Sequence, residues 1–464
     1  MNEVLIQWPN GQQSRCRPGT DWLQAAREAG VSIPTGCLGG SCGACELDVN
    51  GTTIRACIAT VPAAASGPMT STTHSLLLGS LRALGAGAAG GALAALVVMV
   101  TLQLQGRIWG HAVLQGLPSA QGLSWCLLWG GGIGLLIALL QRRRAGSRLP
   151  EMHETLSELR HPDGLQTRHG SRQLLGGALA LIGGGSLGPE ALMTRLVAVA
   201  SHRIWRGADR DLIAAAMAGS LGLFRSPLLG GAALAGRRWQ LLWRWLPATL
   251  GGMAGFVVFD GLSDLGGGLH GVPYDWPTDQ EQRLSALVAA LIAGLIGGVC
   301  GLLLKRWRGW LQRLNLVERC WWCPVITGLV LGVCLWALPL APFSGEEQLR
   351  PLVLGHWQLG PSLLVASGLV KLLLVGGCLE TGWRGGQFFP VILASSAIGM
   401  GLHQLMPAIG GLESWCSGAV GGSLGSLLAS PLLGLILGLT LLQGHGAGAL
   451  VIGLLVGTML QSKR

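Results

Sequence analysis

The stretch TGCLGGSCGACELDVNGTTIRAC, residues 35–57, holds four cysteines on a Gly-rich loop and a following hairpin: Cys37, Cys42, Cys45 and Cys57. The first three are close enough to share one tight loop, and the fourth follows an Asn-Gly pair that favours a hairpin turn. Four thiolates at these gaps suit a [2Fe–2S] cluster. A zinc site or buried free thiols are the alternative. The glycines favour the cluster, because they let backbone amides approach its sulfur atoms.

The residues on both sides of the cysteine loop predict a small α+β domain over residues 1–61. Residues 3–17 are expected to form two strands joined at an Asn-Gly turn. A helix is expected over residues 21–28, because a capping residue precedes it and a glycine follows it. With the hairpin after the cysteine loop, this order indicates a β-grasp fold. Residues 62–75 are rich in Ala, Ser, Thr and Pro without periodicity and predict a linker.

This first domain resembles the plant-type [2Fe–2S] ferredoxins. The short gap before Cys57 is most similar to the cluster domain of the molybdenum hydroxylase small subunits. The resemblance implies a [2Fe–2S] cofactor held by the four cysteines. It also implies an electron donor in the cytoplasm as a partner.

The rest of the chain, residues 76–464, has the composition of an all-α polytopic membrane domain. Only 12% of the 464 residues are charged, where a soluble protein has roughly 25%. Glycines and prolines interrupt many apolar stretches, and broken helices within a bilayer occur where the backbone lines a cavity or is buried in protein. This pattern predicts a transport path. The stretches of near-spanning length lie at about 76–104, 111–140, 172–200, 245–264, 284–304, 322–343, 361–378, 387–406 and 428–460.

The charge distribution indicates which partners the chain binds and in which membrane it lies. The formal net charge is +10, although residues 1–62 carry four arginines against five acidic residues. The positive excess flanks membrane segments and forms no single basic stripe, so nucleic-acid binding is not expected. The N-terminus lacks a basic region followed by an apolar core, so no cleavable signal peptide is expected. These features place the chain in the cell inner (plasma) membrane, in contact with the lipid bilayer, with the cysteine domain in the cytoplasm.

Three short motifs in the membrane part place Gly, Ser and Pro where helices begin. They are GSRLPE at 146–151, GGSLGPE at 184–190 and GGQFFP at 385–390. A helix N-terminus has free amides and a partial positive charge, so several such ends meeting within the bilayer can hold an anion. Chloride suits this kind of site, because no fixed cation holds it too tightly to leave.

With these motifs the segment from about 76 to 462 resembles the CLC family of chloride channels and proton-coupled chloride transporters. The resemblance implies a fold of broken helices and inverted repeats, a homodimer and chloride as the transported ion. It assigns Gly146 and Ser147 to the first motif, with the Ser147 hydroxyl as a chloride ligand. The other anion-binding or pore residues it implies are Ser186, Leu187, Gly188, Gln387, Phe388 and Phe389, with the last three providing amides.

The departures from the family pattern are informative. The middle motif of the family carries a gating glutamate, and Leu187 stands at that position here. A second proton-relay glutamate is also missing, since Gly236 and Arg237 stand at its place. Glu190 follows Leu187 by three residues and could replace the gate. The alternative for Glu190, and the one we favour, is a carboxylate in the first turn of a helix, where the dipole stabilises it.

The sequence therefore predicts a passive chloride channel that is not proton-coupled and not an enzyme. Its conductance is expected to depend on the redox state of the [2Fe–2S] cluster. One alternative is a proton-coupled chloride antiporter that uses Glu190. The other is a membrane-anchored electron-transfer protein, which needs a second redox centre that the sequence does not offer. Cys320 and Cys323 are interpreted as packing residues, and His403 and His445 show no haem-binding pattern.

Overall fold

The structure is a computed structural model of the chain. It describes residues 4–8, 12–34, 45–49, 52–61, 72–118, 121–142, 148–160, 169–205, 210–224, 226, 229–230, 246–266, 280–355, 358–428, 430–442 and 446–462. The chain divides into two compact units, residues 1–75 and 76–464.

The first unit contains two antiparallel hairpins and one short helix. Strands β1 (Val4–Gln7) and β2 (Gln13–Cys16) pair with each other, as do β3 (Glu46–Val49) and β4 (Thr52–Arg55). Within the described residues these are separate two-stranded ladders. Helix α1 runs over Trp22–Glu28, as the sequence predicts. The two hairpins and the helix thus follow the order expected from the sequence.

The core of the first unit forms around two tryptophans. Trp8 and Trp22 are buried and meet edge to face, with ring centroids 6.1 Å apart. The start of α1 is tied to the end of the unit, because the amides of Trp22 and Val61 bond to the carbonyls of Ala59 and Thr20. These contacts hold the segment that carries Cys57 against the helix.

The described part of the second unit consists of helices joined by non-helical segments. It contains α2 (Thr72–Trp109), α3 (His111–Leu114), α4 (Leu123–Gln141), α5 (Met152–Arg160), α6 (Gly170–Ile182), α7 (Glu190–Ile204), α8 (Arg210–Ser220), a 3₁₀ turn (Leu221–Phe224), α9 (Leu246–Gly266), α10 (Gln280–Leu314), α11 (Leu316–Arg319), α12 (Cys323–Ala337), α13 (Glu346–Gly355), α14 (Pro361–Thr381), α15 (Phe388–Leu405), α16 (Leu412–Leu427), α17 (Pro431–Leu441) and α18 (Ala447–Ser462).

Five of the described helices are long and apolar enough to cross a membrane, and shorter apolar helices accompany them. Three predicted stretches are each broken into a pair of helices, and residues 111–140 form α3 and α4. Residues 172–200 form α6 and α7 with the middle motif between them, and residues 428–460 form α17 and α18. The breaks confirm that helix ends lie inside the apolar sequence.

Five described helices of the second unit lie outside the stretches expected from hydropathy, namely α5, α8, α11, α13 and α16. Helix α8 is short and rich in Ala. Helix α16 consists largely of Gly, Ser and Ala, with few large apolar residues. Most of α16 is nevertheless buried. Its small residues let it approach α10 so closely that a Cβ on Gly297 would collide with the carbonyl of Ala419. Close backbone packing therefore stabilises a helix that hydropathy does not detect.

Candidate anion site

Two of the three motifs meet through their backbones. The amide of Gly188 donates to the carbonyl of Gly386 at 2.8 Å, and the amide of Gly386 donates back at 2.7 Å. Helix α7 begins two residues after Gly188, and α15 begins two residues after Gly386. The N-termini of two helices therefore lie side by side, as expected for an anion site built from helix dipoles.

The side chain of Glu190 occupies the junction between these helix ends. Its Oε1 accepts a hydrogen bond from the backbone amide of Phe388 at 2.9 Å. Glu190 is fully buried, and its Oε2 has no hydrogen-bond partner among the described residues. The carboxylate thus takes an amide that the sequence assigns to anion binding, and it reaches from its own helix to a second one.

Glycines shape the space that holds this carboxylate. A Cβ on Gly188 would collide with Oε2 of Glu190, and a Cβ on Gly386 would collide with its Cδ and Oε1. Any side chain at either position would therefore exclude the carboxylate. The missing Cβ atoms create a small space that a carboxylate group fills.

The other residues of the middle motif are buried beside it. Leu187 has no exposed surface and packs in the hydrophobic cluster that includes Trp383. Ser186 is also fully buried, and its hydroxyl has no hydrogen-bond partner among the described residues. An unpaired buried hydroxyl is costly in a protein interior, so an unpaired Ser186 Oγ near the helix ends is consistent with a polar or anionic ligand.

Side chains of α2 fix the end of α6 that leads into the middle motif. Gln105 donates to the carbonyl of Leu181 at 2.7 Å, and Trp109 donates to the carbonyl of Ile182 at 2.8 Å. Carbonyls at a helix C-terminus lack partners within the helix. The two hydrogen bonds give the carbonyls of Leu181 and Ile182 a donor. Helix α6 can therefore end inside the apolar interior, and the chain continues from there to Ser186.

An aromatic cluster covers the start of α15. Phe388 meets Phe224 edge to face at 6.1 Å, and Phe389 stacks on the same ring at 5.2 Å. Phe224 is fully buried at the end of the 3₁₀ turn. This packing fixes the backbone of residues 388–389, so the amide that Glu190 uses is held in place by the core.

The third motif is also bound to a charged network. Arg308 on α10 donates to Gln387 Oε1 at 2.9 Å and to Glu380 Oε1 at 2.9 Å, and it pairs with Glu151 at the end of the first motif. One guanidinium therefore joins segments of two motifs. Partial burial, with Arg384 nearby, lowers the pKa of Arg148 in the first motif.

Comparisons with known proteins agree with this architecture. A family model described as voltage gated chloride channel matches residues 129–461. The chain belongs to this CLC family. A second model, described as a 2Fe-2S iron-sulfur cluster binding domain, matches residues 6–67 of the same CLC chain. No curated protein matches the chain significantly.

Solved structures share the fold of this CLC chain. A slow cyanobacterial Cl⁻/H⁺ antiporter is 20% identical, with a TM-score of 0.64 over 82% of this chain and 94% of its own. A CLC-type fluoride/proton antiporter is 19% identical, with a TM-score of 0.64 over 85% and 98%. A eukaryotic CLC transporter is 19% identical, with a TM-score of 0.59 over 82% and 72%. At these identities the likeness shows the fold alone.

The structure places the sequence-assigned residues of this CLC chain in two groups. Glu190 and the residues assigned from the second and third motifs, Ser186, Leu187, Gly188, Gln387, Phe388 and Phe389, are described and come together. Gly146 and Ser147 lie outside the described residues, as do Gly236 and Arg237. Glu190 lies in the first turn of α7, which is the position favoured from the sequence, and its carboxylate also accepts a hydrogen bond from the Phe388 amide.

Two of the four assigned cluster ligands are also described. The Sγ atoms of Cys45 and Cys57 lie 3.0 Å apart. Cys37 and Cys42 lie outside the described residues. Two thiols that converge from the residue before β3 and from the segment after β4 fit a shared iron–sulfur centre.

A second acidic residue that the three motifs do not include lies within electrostatic range of Glu190. Glu346 begins α13, lies within electrostatic range of Glu190 and has an Oε1 without a hydrogen-bond partner among the described residues. The loop before it is held by Lys371, whose Nζ bonds to four successive carbonyls, Leu340 to Phe343, at 2.9–3.2 Å. The amide of Phe343 in turn donates to the carbonyl of Gly184. The loop that Lys371 holds is therefore bonded to the middle motif through Phe343.

Proposed function

We propose that this chain transports chloride through an anion site at the N-termini of α7 and α15, and that the Glu190 carboxylate gates the site. The bond from the Phe388 amide to Glu190 Oε1 carries the proposal. A free amide at a helix start is a donor that an anion can also use. Carboxylate and chloride then compete for one donor, and chloride passes only while Glu190 is displaced.

The surroundings of the carboxylate support a movable gate more than a fixed cap. A carboxylate kept permanently in a protein interior normally has most of its acceptor positions satisfied. Here Glu190 Oε2 and the nearby Ser186 hydroxyl have no partner among the described residues. Because one oxygen of this carboxylate has no hydrogen bond among the described residues, less free energy is needed to move the side chain away. A gate requires such a side chain.

We propose passive transport as the first candidate. The position of the family's gating glutamate holds Leu187, and the relay positions in the sequence hold Gly236 and Arg237. Proton-coupled chloride exchange is the second candidate. It is favoured by Glu346, a second carboxylate within electrostatic range of Glu190. The two candidates differ in one measurable quantity, the proton flux that accompanies chloride.

Redox control by the first domain is part of the proposal. Cys37, Cys42, Cys45 and Cys57 hold a [2Fe–2S] cluster, which supplies a one-electron change of charge when bound. Support comes from the matched cluster-binding model and from the approach of Cys45 and Cys57. Conductance then depends on whether the oxidised and the reduced domain bind differently to the membrane part. We further propose a homodimer with the first domain on the cytoplasmic side, supplied by an electron donor there.

The test is chloride efflux from liposomes that contain the full chain with its cluster, with external pH recorded during efflux. Wild type is compared with Glu190→Gln, and Glu318→Gln at an exposed position on α11 is the matched control. Faster efflux in Glu190→Gln with no proton movement in either protein supports a passive gated path. Proton uptake driven by chloride in the wild type, abolished in Glu190→Gln, selects the coupled candidate. Equal efflux in all three proteins refutes gating by Glu190.

The redox part is tested in the same liposomes. Efflux is measured with the cluster oxidised and again after reduction by dithionite. A variant with Cys45→Ser controls for effects of dithionite that do not involve the cluster. A rate that changes with reduction only in the protein that holds the cluster supports the proposal. Identical rates in both states remove it and leave the gating proposal unaffected.

A further inference from the structure

A basic groove lies between the C-terminal ends of α10 and α18, away from the anion site. It has a volume of about 500 Å³. Its lining residues on α10 repeat at intervals of three and four, so they form one face of the helix. The lining residues are Leu302, Lys305, Arg306, Gly309, Trp310, Arg313 and, from α18, Gln461.

The three cations of this groove have no acidic partner in the part of the chain that the structure describes. Among the described residues, no carboxylate lies within 4.0 Å of Lys305, Arg306 or Arg313. Arg308 on the other side of the same helix is paired with Glu151 and Glu380, which shows how a structural arginine on α10 is satisfied. The groove therefore concentrates positive charge that has no carboxylate counter-ion in the described part of the chain.

The far wall of the groove is held in place. With its amide oriented to satisfy its neighbours, Gln461 donates to the carbonyls of Leu428 and Gly425 at 3.1 Å and accepts from Lys305 Nζ at 3.1 Å. The middle of the groove is open, since a Cβ on Gly309 would meet nothing within 4 Å. A ligand can therefore enter between the two helices without moving either one.

An apolar ridge on α10 leads into the groove. Leu295, Val299 and Leu303 are 49%, 43% and 52% exposed, and they follow one another at intervals of four along the helix. Trp310 is 52% exposed and stacks on Trp307 at 5.3 Å. Exposed apolar residues in a membrane helix contact lipid chains, and tryptophans of this kind lie at the headgroup level. Apolar ridge and basic groove together match a molecule with acyl chains and an anionic head.

We propose that this groove binds the headgroup of an anionic phospholipid. The excess of Lys and Arg at this end of α10 marks it as the cytoplasmic end by the positive-inside rule. Basic pockets between helices on that side are suited to lipid phosphate, and each nearby cation adds to the attraction. The phosphate lies among Lys305, Arg306 and Arg313, and the acyl chains follow the ridge. This site is independent of the proposed gate.

The test measures lipid binding to the full chain by native mass spectrometry, with dioctanoyl phosphatidylglycerol as the probe and dioctanoyl phosphatidylcholine as the neutral comparison. The charge variant is Lys305→Gln/Arg306→Gln/Arg313→Gln. Gly309→Leu fills the groove and keeps every charge. Arg82→Gln, at an exposed position on α2, is the matched control. Inorganic phosphate is added as a competitor to separate a lipid site from a site for free phosphate.

We expect the wild type and Arg82→Gln to bind phosphatidylglycerol in preference to phosphatidylcholine. Each neutralised cation is expected to weaken binding by about fivefold, so the triple variant loses about a hundredfold. Gly309→Leu is expected to lose binding at least tenfold. Retained binding in the triple variant or in Gly309→Leu overturns the proposal. So does displacement of the lipid by millimolar phosphate, which would identify a site for the free ion.

Discussion

Removal of the Glu190 side chain should raise the affinity of the site for chloride, because the carboxylate and the ion share a donor. A hydrogen bond between a charged group and an amide contributes about 1.5–3 kcal/mol. If Glu190 holds the Phe388 amide with this free energy, only about one molecule in ten to one in a hundred has the donor free. Glu190→Ala frees it in all molecules and should lower the apparent Kd for chloride by about tenfold to a hundredfold.

Isothermal titration calorimetry of the full chain in a chloride-free isethionate buffer measures this change. Glu190→Gln separates charge from shape, because its side-chain oxygen can still accept from Phe388 as a neutral group worth about 1 kcal/mol. Its Kd should therefore fall between those of the wild type and Glu190→Ala. An unchanged or weaker affinity in Glu190→Ala, with the melting temperature preserved, would show that the carboxylate does not occupy the chloride site.

Three further changes test other parts of the structure. Gly386→Ala should lower the free energy of unfolding by about 1–3 kcal/mol, because the new Cβ collides with the carboxyl group of Glu190. Thermal unfolding should show that this loss is relieved in the double variant Gly386→Ala/Glu190→Ala. Additive losses in the double variant would contradict the contact. Lys371→Met leaves four buried carbonyls without their donor, so the free energy of unfolding should fall by at least about 2–3 kcal/mol in the same assay. A melting temperature like that of the wild type would refute this role of Lys371. Cys57→Ser should abolish the visible absorption of the [2Fe–2S] cluster while leaving chloride binding intact, and a retained spectrum would remove Cys57 from the ligand set.

The sequence predicted much of the fold because its signals are local. Breaks within apolar stretches located the ends of α6 and α15, and capping residues located α1. Helix α16 escaped notice for a physical reason. Its Gly and Ser residues are not hydrophobic, and its burial depends on backbone contact with α10, which hydropathy does not measure.

The candidate site was predicted in its parts but not in its connections. The motifs indicated which amides could bind an anion, and two of these segments do meet at Gly188 and Gly386. The direction of the Glu190 side chain could not be read from the sequence, because its partner Phe388 lies 198 residues away. Arg308 was missed for the same reason, since Glu151, Glu380 and Gln387 are close to it only in the folded chain.

Helices α10, α16 and α18 touch each other backbone to backbone. A Cβ on Gly422 would strike the carbonyl of Gly294, and a Cβ on Gly457 would strike the carbonyl of Gly422. Such a contact contains no side chains that could change rotamer and accommodate a shift. The three helices should therefore move as one rigid body in any transport cycle. When the bilayer becomes thinner or thicker, the shorter helices around them should change their tilt or position instead.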